Sequence, residues 1–194
     1  KDMLNRIRPD IAVVNPVFAY AAEVAGYALG LGIHVFCEKP VATDFEKLET
    51  LENAYDSANK SKRVCLAAMF GIWYESPLKT VKKAVLEGQI GRICMINAQK
   101  SYKTGKRAAF YSKRETYGGT IPWVSIHAID WIYMLAGAGF SKVFSLESAK
   151  CNGGNGEMES TCLSLFELEN GVIASVNTDI LRPSGASTHG DDRI

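Results

Sequence analysis

The sequence predicts an α/β protein: the C-terminal part of a doubly wound parallel domain, followed by an α+β domain with a mainly antiparallel sheet. Three observations carry this. Up to about residue 70, short apolar runs alternate with helical periods. Beyond it, strand-like segments follow one another, and Asn170-Gly171 marks a hairpin. The 194 residues are 47% hydrophobic and 22% charged, which suits folded domains and argues against disorder.

Ile11 to Asn15 is a β-branched run that reads as a buried strand. Val17 to Leu29 carries Glu23 as its only charge and reads as a buried helix stopped by Gly30 and Gly32. Ile33 to Cys37 is the next buried strand. Thr43-Asp44-Phe45-Glu46 fits a capping box. Phe45, Leu48, Leu51, Ala54, Tyr55 and Ala58 then lie at helical spacing, and Val64 to Ala68 is a third strand. Strand, helix, strand, helix, strand implies parallel pairing with helices covering the sheet.

The pattern changes after Phe70. Ser76-Pro77 starts a helix with Leu78, Val81 and Val85 inward, and Gly88 stops it. Ile93 to Ser101 reads as a strand and Tyr102 to Tyr117 as a long polar loop. Thr120 can cap a helix running to about Leu135, with Pro122 tolerated in its first turn. Val143 to Ala149, Thr161 to Leu168 and Val172 to Asp179 complete the β content. The expected division is residues 1–70 and 71–194. A first residue other than Met and a strand-like end at Ile194 read as part of a longer protein.

A net charge of +1 gives no general reason to expect nucleic acid, and no apolar run approaches a membrane span. Five dispersed cysteines without a C-x-x-C pair suggest reduced thiols in a cytoplasmic protein, and three scattered histidines suggest no metal site.

Chemistry is concentrated in three places. Glu38-Lys39-Pro40 directly follows a strand, where open parallel sheets bind ligands; Lys39 can meet a substrate hydroxyl there, and Pro40 fixes the turn and can be cis. The apolar helix from Ile121 carries His127 and Asp130, which share a face with Trp123. Gly118-Gly119 before it allows close approach of another backbone or a ligand. The loop Lys100 to Tyr117 has a local charge of +5 with aromatics interleaved, so it could bind an anionic small molecule or single-stranded nucleic acid, or be a solvated loop. Lys100, Tyr117 and Trp123 are the candidate substrate contacts. Asn152 to Gly156 lacks the G-x-G-x-x-G spacing and reads as a β connection.

Together these motifs resemble the Gfo/Idh/MocA family (glucose–fructose oxidoreductase / inositol dehydrogenase) in the family's order over nearly the whole chain. Asn15-Pro16 stands where the family usually has Thr-Pro. Gly-Ile-His-Val-Phe-Cys-Glu-Lys-Pro ends in the family's Glu-Lys-Pro motif. Glu87 to Ile93 is similar to the entry of its second domain, and Gly118-Gly119 through Asp130 to its catalytic helix. The resemblance implies a Rossmann domain that binds NAD or NADP, a second domain that shapes the substrate site, and hydride transfer at a hydroxyl-bearing carbon of a sugar, inositol or related polyol. It implies catalytic roles for Lys39 and His127 and cofactor contacts from Asn15, Pro16, Glu38 and Pro40. It also implies a homo-oligomer through the C-terminal sheet, with no nucleic-acid or membrane partner. Three positions depart from the pattern. Trp123 replaces the family's Asp, Tyr20 stands at its usual His, and no Gly-rich dinucleotide loop is present, so that loop is expected to precede Lys1. The Trp123 departure keeps a second reading open: a non-catalytic homologue that senses a nucleotide or sugar as a regulatory partner.

Overall fold

A computed structural model describes residues 1–194 as two sheets flanked by helices. In the first part, α1 (Asp2–Ile7), β1 (Ile11–Val14), α2 (Ala21–Gly30), β2 (His34–Cys37), α3 (Phe45–Lys62) and β3 (Leu66–Ala68) build a three-stranded sheet. Both of its pairings are parallel, with Ile11 opposite His34 and Val35 opposite Leu66, as the β-α-β reading expects.

Helices α2 and α3 cover one face. Ala21, Ala22, Ala25, Ala28 and Leu29 of α2 are buried against Val14, Val35 and Cys37 of the sheet and Leu51 and Ala58 of α3. The small residues on α2 let the helices approach closely, and at Gly26 a Cβ would already stand 3.3 Å from Ala54 Cβ. Three expectations need correction here. The strands are not buried on both faces: Ile11 and Val13 are 62% and 67% exposed on the side the helices leave open. Phe45 does not join the inward face either, being exposed at the N-terminus of α3. The cap of α3 is Asp44, whose Oδ1 accepts the Lys47 N–H at 2.8 Å, rather than Thr43.

In the second part, α4 (Ser76–Leu86), β4 (Met95–Tyr102), α5 (Arg114–Tyr117), α6 (Ile126–Ala136), β5 (Phe140–Ser148), β6 (Thr161–Leu168), β7 (Ile173–Asp179) and β8 (Gly190–Arg193) build a five-stranded sheet ordered β5-β6-β7-β4-β8. Its pairings are antiparallel except β4 with β7, which run parallel. Glu169-Asn170-Gly171 closes the β6–β7 hairpin, with Gly171 at φ 80°. Strand β8, the strand-like end expected at Ile194, lines the free edge of β4.

Alternation along β4 directs Ile96 and Ala98 beneath α6, where they pack with Ala128, Trp131 and Ile132. The opposite face leaves Met95, Phe144, Leu146, Leu163, Leu165 and Ile173 between 42% and 60% exposed. The segment before α6 also differs from expectation. Ile121–Ser125 winds as a π-helical turn, and Thr120 makes no N-cap; its hydroxyl donates to the Glu159 carbonyl oxygen. The stretch Tyr102–Tyr117 is partly ordered, with a 3-10 turn at Ala109–Ser112 before α5.

A third core cluster joins the two parts. Phe18, just after β1, packs with Tyr117, Trp123, Val124, Met158 and Ile180. Gly118 lies beside it at φ 86°, where a Cβ would stand 3.0 Å from Thr43 Cγ2 and 3.2 Å from Thr43 Cα. The close approach expected at Gly118-Gly119 is thus filled by the segment after Glu38-Lys39-Pro40 of the first part. No helix is long and apolar enough to cross a membrane.

Candidate active site

The parallel ladder determines which turns lie side by side. The Glu38 N–H donates to the Val14 carbonyl oxygen at 2.9 Å and the Met69 N–H to that of Cys37 at 2.8 Å. The carboxyl ends of β1, β2 and β3 are therefore adjacent. They bring Asn15-Pro16, Glu38-Lys39-Pro40 and Phe70 to one rim. Asn15 is exposed there and Pro40 is buried, with a cis Lys39-Pro40 bond.

Lys39 crosses from this rim to the second part. Its ammonium donates a 2.7 Å hydrogen bond to the Trp123 carbonyl oxygen and stands 3.7 Å from Glu38 Oε1. Lys39 is 8% exposed. Burial lowers its pKa, helped by the Lys100 ammonium, while Glu38 opposes the shift.

His127 follows Trp123 by one helical turn and is 7% exposed. Its ring meets Phe70 edge-on, with centroids 5.9 Å apart. Nδ1 is buried and has no hydrogen-bond partner, so this is not a core histidine satisfied by packing. Burial first, then the Lys39 and Lys100 ammoniums, push its pKa down to about 3, so the ring is neutral near pH 7.

Lys100 is fully buried on the inward face of β4, continuing the alternation of Ile96 and Ala98. It lies opposite Asp192 of β8 in the strand register. Its ammonium stands 2.5 Å from Asp192 Oδ1, a contact off the hydrogen-bond direction that leaves Nζ without a well-aligned acceptor. It also lies 5.0 Å from the Trp131 ring centroid and 5.1 Å from that of Tyr102. Burial lowers its pKa, against the pull of Asp192.

The other candidates have different settings. Trp123 is 5% exposed, its ring 4.6 Å from Tyr111 and 4.8 Å from the Arg107 guanidinium carbon. Its backbone, rather than its indole, meets Lys39. Tyr117 is not brought to the group. It is fully buried, and its hydroxyl donates to Glu159, which also accepts the Thr120 N–H and pairs with Arg114. Asp130, read from spacing as a companion of His127, is held by the Trp73 indole N–H. Tyr20 is 56% exposed. Sequence reasoning missed Trp73 and Asp192, and counted Arg107 only among the charges of the loop Lys100 to Tyr117. The signal for Lys100 lay in the i, i+2 alternation of β4; the strand-like end at Ile194 did not reveal its pairing with β4, because Gly-Asp-Asp-Arg lacks strand formers.

These residues fit the nicotinamide end of a dinucleotide. A strand-end rim with Asn15 and Glu38 for ribose hydroxyls abuts a buried, unpartnered imidazole nitrogen and a lysine of lowered pKa. Such a group can bind a hydroxyl and manage its proton.

Comparison with known proteins agrees with this architecture. Residues 1–68 match the model described as "Oxidoreductase family, NAD-binding Rossmann fold", and residues 78–193 match the GFO/IDH/MocA C-terminal domain. An oxidoreductase structure from Thermotoga maritima is similar at TM-score 0.95 and 50% identity, over 98% of this chain and 58% of that one. The dehydrogenase WlbA from Bordetella pertussis, solved with NADH and UDP-GlcNAcA, is similar at TM-score 0.81 and 25% identity, over 97% of this chain and 54% of that one. An oxidoreductase of Schizosaccharomyces pombe is 25% identical over 151 residues, 77% of this chain and 40% of that protein. The chain thus spans well under two thirds of the length of these relatives.

Proposed function

The chain belongs to the Gfo/Idh/MocA oxidoreductase family, and from that membership we propose that the protein transfers a hydride between NAD(P) and a hydroxyl-bearing carbon of a sugar, inositol or related polyol. Residues 1–70 are then the C-terminal half of the dinucleotide-binding domain, and residues 71–194 form the substrate-binding and oligomerisation domain. Lys39 and His127 are the catalytic residues. Asn15, Pro16, Glu38 and Pro40 hold the cofactor, with Lys100 and the Trp123 region beside the substrate.

The observation that carries this reading is the meeting of Lys39 with the His127 helix. A hydroxyl between them can donate to the His127 Nδ1 lone pair and accept from Lys39 Nζ. The bound nicotinamide supplies the two-electron chemistry. Lys39, its pKa lowered by burial, exchanges the hydroxyl proton more readily than a solvated lysine. His127 stays neutral and orients the hydroxyl. Glu38, 3.7 Å from Lys39 Nζ, limits how far that proton affinity falls.

The open apolar face of the five-stranded sheet supports a homo-oligomer, because Phe144, Leu146, Leu163 and Leu165 are costly to leave wet. Five free cysteines agree with a cytoplasmic setting. The direct test is nicotinamide absorbance during incubation of the full-length protein with inositols, aldoses and their acids. Turnover of one of them is expected; binding without turnover of any would reject the enzyme reading.

A further inference from the structure

The cations of the segment Lys100–Tyr117 are unequally matched. Lys100 is paired with Asp192, and Arg114 with Glu147 and Glu159. Like the exposed Arg6, Arg8, Arg63 and Arg92, Arg107 has no carboxylate, yet it is half-buried; Arg114 holds two, and Arg182 and Arg193 share Asp191. Its guanidinium lies over two rings, 4.8 Å from the Trp123 centroid and 5.7 Å from that of Tyr111. Nη2 donates to the Lys103 carbonyl oxygen at 2.8 Å. Nε is buried with no acceptor. An arginine sunk among aromatic rings without a counter-ion leaves a donor unsatisfied, at a cost that a bound anion would remove. Stacking also holds the planar fork in a pose suited to an oxyanion.

Its surroundings have the same sign. The Lys103 N–H donates to the His189 carbonyl oxygen at 2.9 Å, and the His189 ring lies 5.2 Å from Tyr102. Burial, then Arg107 and Lys103, hold His189 below its ordinary pKa. The acids felt at Tyr102 are Asp192 and Glu38, and both are committed to lysines, Lys100 and Lys39. Trp123 links this cluster to the candidate active site, for its ring carries Arg107 and its carbonyl carries the Lys39 ammonium.

Resting on the oxidoreductase reading above, we propose that the substrate is a sugar or polyol bearing an oxyanion group, a carboxylate or a phosphate, which Arg107 grips while Lys39 meets the reacting hydroxyl. Lys103, whose carbonyl oxygen holds Arg107 Nη2, adds positive charge beside the same group. A neutral polyol would leave Arg107 Nε desolvated and unmatched.

Calorimetric binding to the full-length protein with NAD present tests this apart from turnover. The probes are glucose, glucuronate and glucose 6-phosphate. At least one anionic sugar is expected to bind ~10-fold or more tightly than glucose, the scale of a charge-assisted bidentate contact. Arg107→Gln should remove that margin and Arg107→Lys should keep part of it, both with native circular dichroism. If Arg107→Gln fails to fold, Lys103→Gln should still narrow the margin. Anionic sugars that bind no better than glucose, or a margin that survives Arg107→Gln, overturn the proposal. So does an Arg107→Gln protein that loses NAD affinity alone, because the oxyanion would then be the cofactor's. Failure of the oxidoreductase reading looks different: an Arg107-dependent margin in binding with no turnover of any probe.

Discussion

The Lys39 ammonium donates a 2.7 Å hydrogen bond to the carbonyl oxygen of Trp123, one helical turn ahead of His127. The bond spans 84 positions of sequence and ties the end of a parallel strand to the helix of the second part. It falls on the π-helical turn Ile121–Ser125, a departure from regular winding of the kind that recurs at functional sites.

Replacing Lys39 by Met in the full-length protein should lower turnover by ~100-fold or more, within the usual range for a general acid–base group. His127→Ala should cost less, because in the proposed mechanism Lys39 handles the proton and His127 orients the hydroxyl. NAD affinity should change little in either variant. Steady-state kinetics with nicotinamide absorbance, beside a cofactor titration, measure both effects; unchanged turnover in Lys39→Met would remove the mechanism.

His127 gives stability a pH dependence of definite sign. Its folded pKa is depressed to about 3 from 6.5, so between those values the unfolded chain binds a proton that the folded one does not. Stability should therefore fall as pH drops through this window, by at most about 1.4 kcal/mol per pH unit from this group. Urea midpoints at neutral and mildly acid pH should show the decline, and His127→Gln should flatten it.

Removing Asp192 leaves the Lys100 ammonium enclosed with no counter-ion. Asp192→Asn should destabilise the fold by about 2 kcal/mol, toward the low end for a broken buried pair because its side chain is 39% exposed. Lys100→Met should cost less than Asp192→Asn, since it removes the enclosed charge and leaves a carboxylate that is 39% exposed to water. The order of the two melting temperatures decides the matter.

Gly118→Ala should be among the more damaging small substitutions. It places a Cβ at φ 86° and 3.0 Å from Thr43 Cγ2, with the Thr43 backbone directly behind. A loss of about 1–3 kcal/mol is expected, visible as a lowered denaturation midpoint.

For the open face of the five-stranded sheet, Phe144→Asp with Leu165→Lys should convert the full-length protein to a monomer without unfolding it. Light scattering of the native protein should give a dimer or larger species. A native monomer at high protein concentration would contradict the covered face.

The local signals were strong where burial is one-sided and periodic. The run Ile33–Cys37 and the small-residue face of α2 specify a parallel unit, because only a sheet covered by a helix buries them. The hairpin at Asn170-Gly171 was equally plain, since few residues other than these accept positive φ. Lys39 was legible from its position at a strand end. Tyr117 was misread because a tyrosine in a basic loop does not reveal its partner; Glu159 lies 42 positions away and encloses it. Phe45 was misread because apolar spacing cannot tell a helix's first residue, which projects beyond the sheet, from its interior.

The sequence alone thus determined the class of each part and most of the succession of strands and helices along it. Each follows from short-range constraints: residue volume, backbone preference, and the period of the apolar face. The tertiary structure alone decided that Lys39 bonds to the Trp123 backbone, that Lys100 is neutralised by a strand with no strand-forming residues, and that Arg107 is left stacked and uncompensated. Those outcomes depend on which distant groups are brought out of water together, and on whether each buried charge meets an opposite one there.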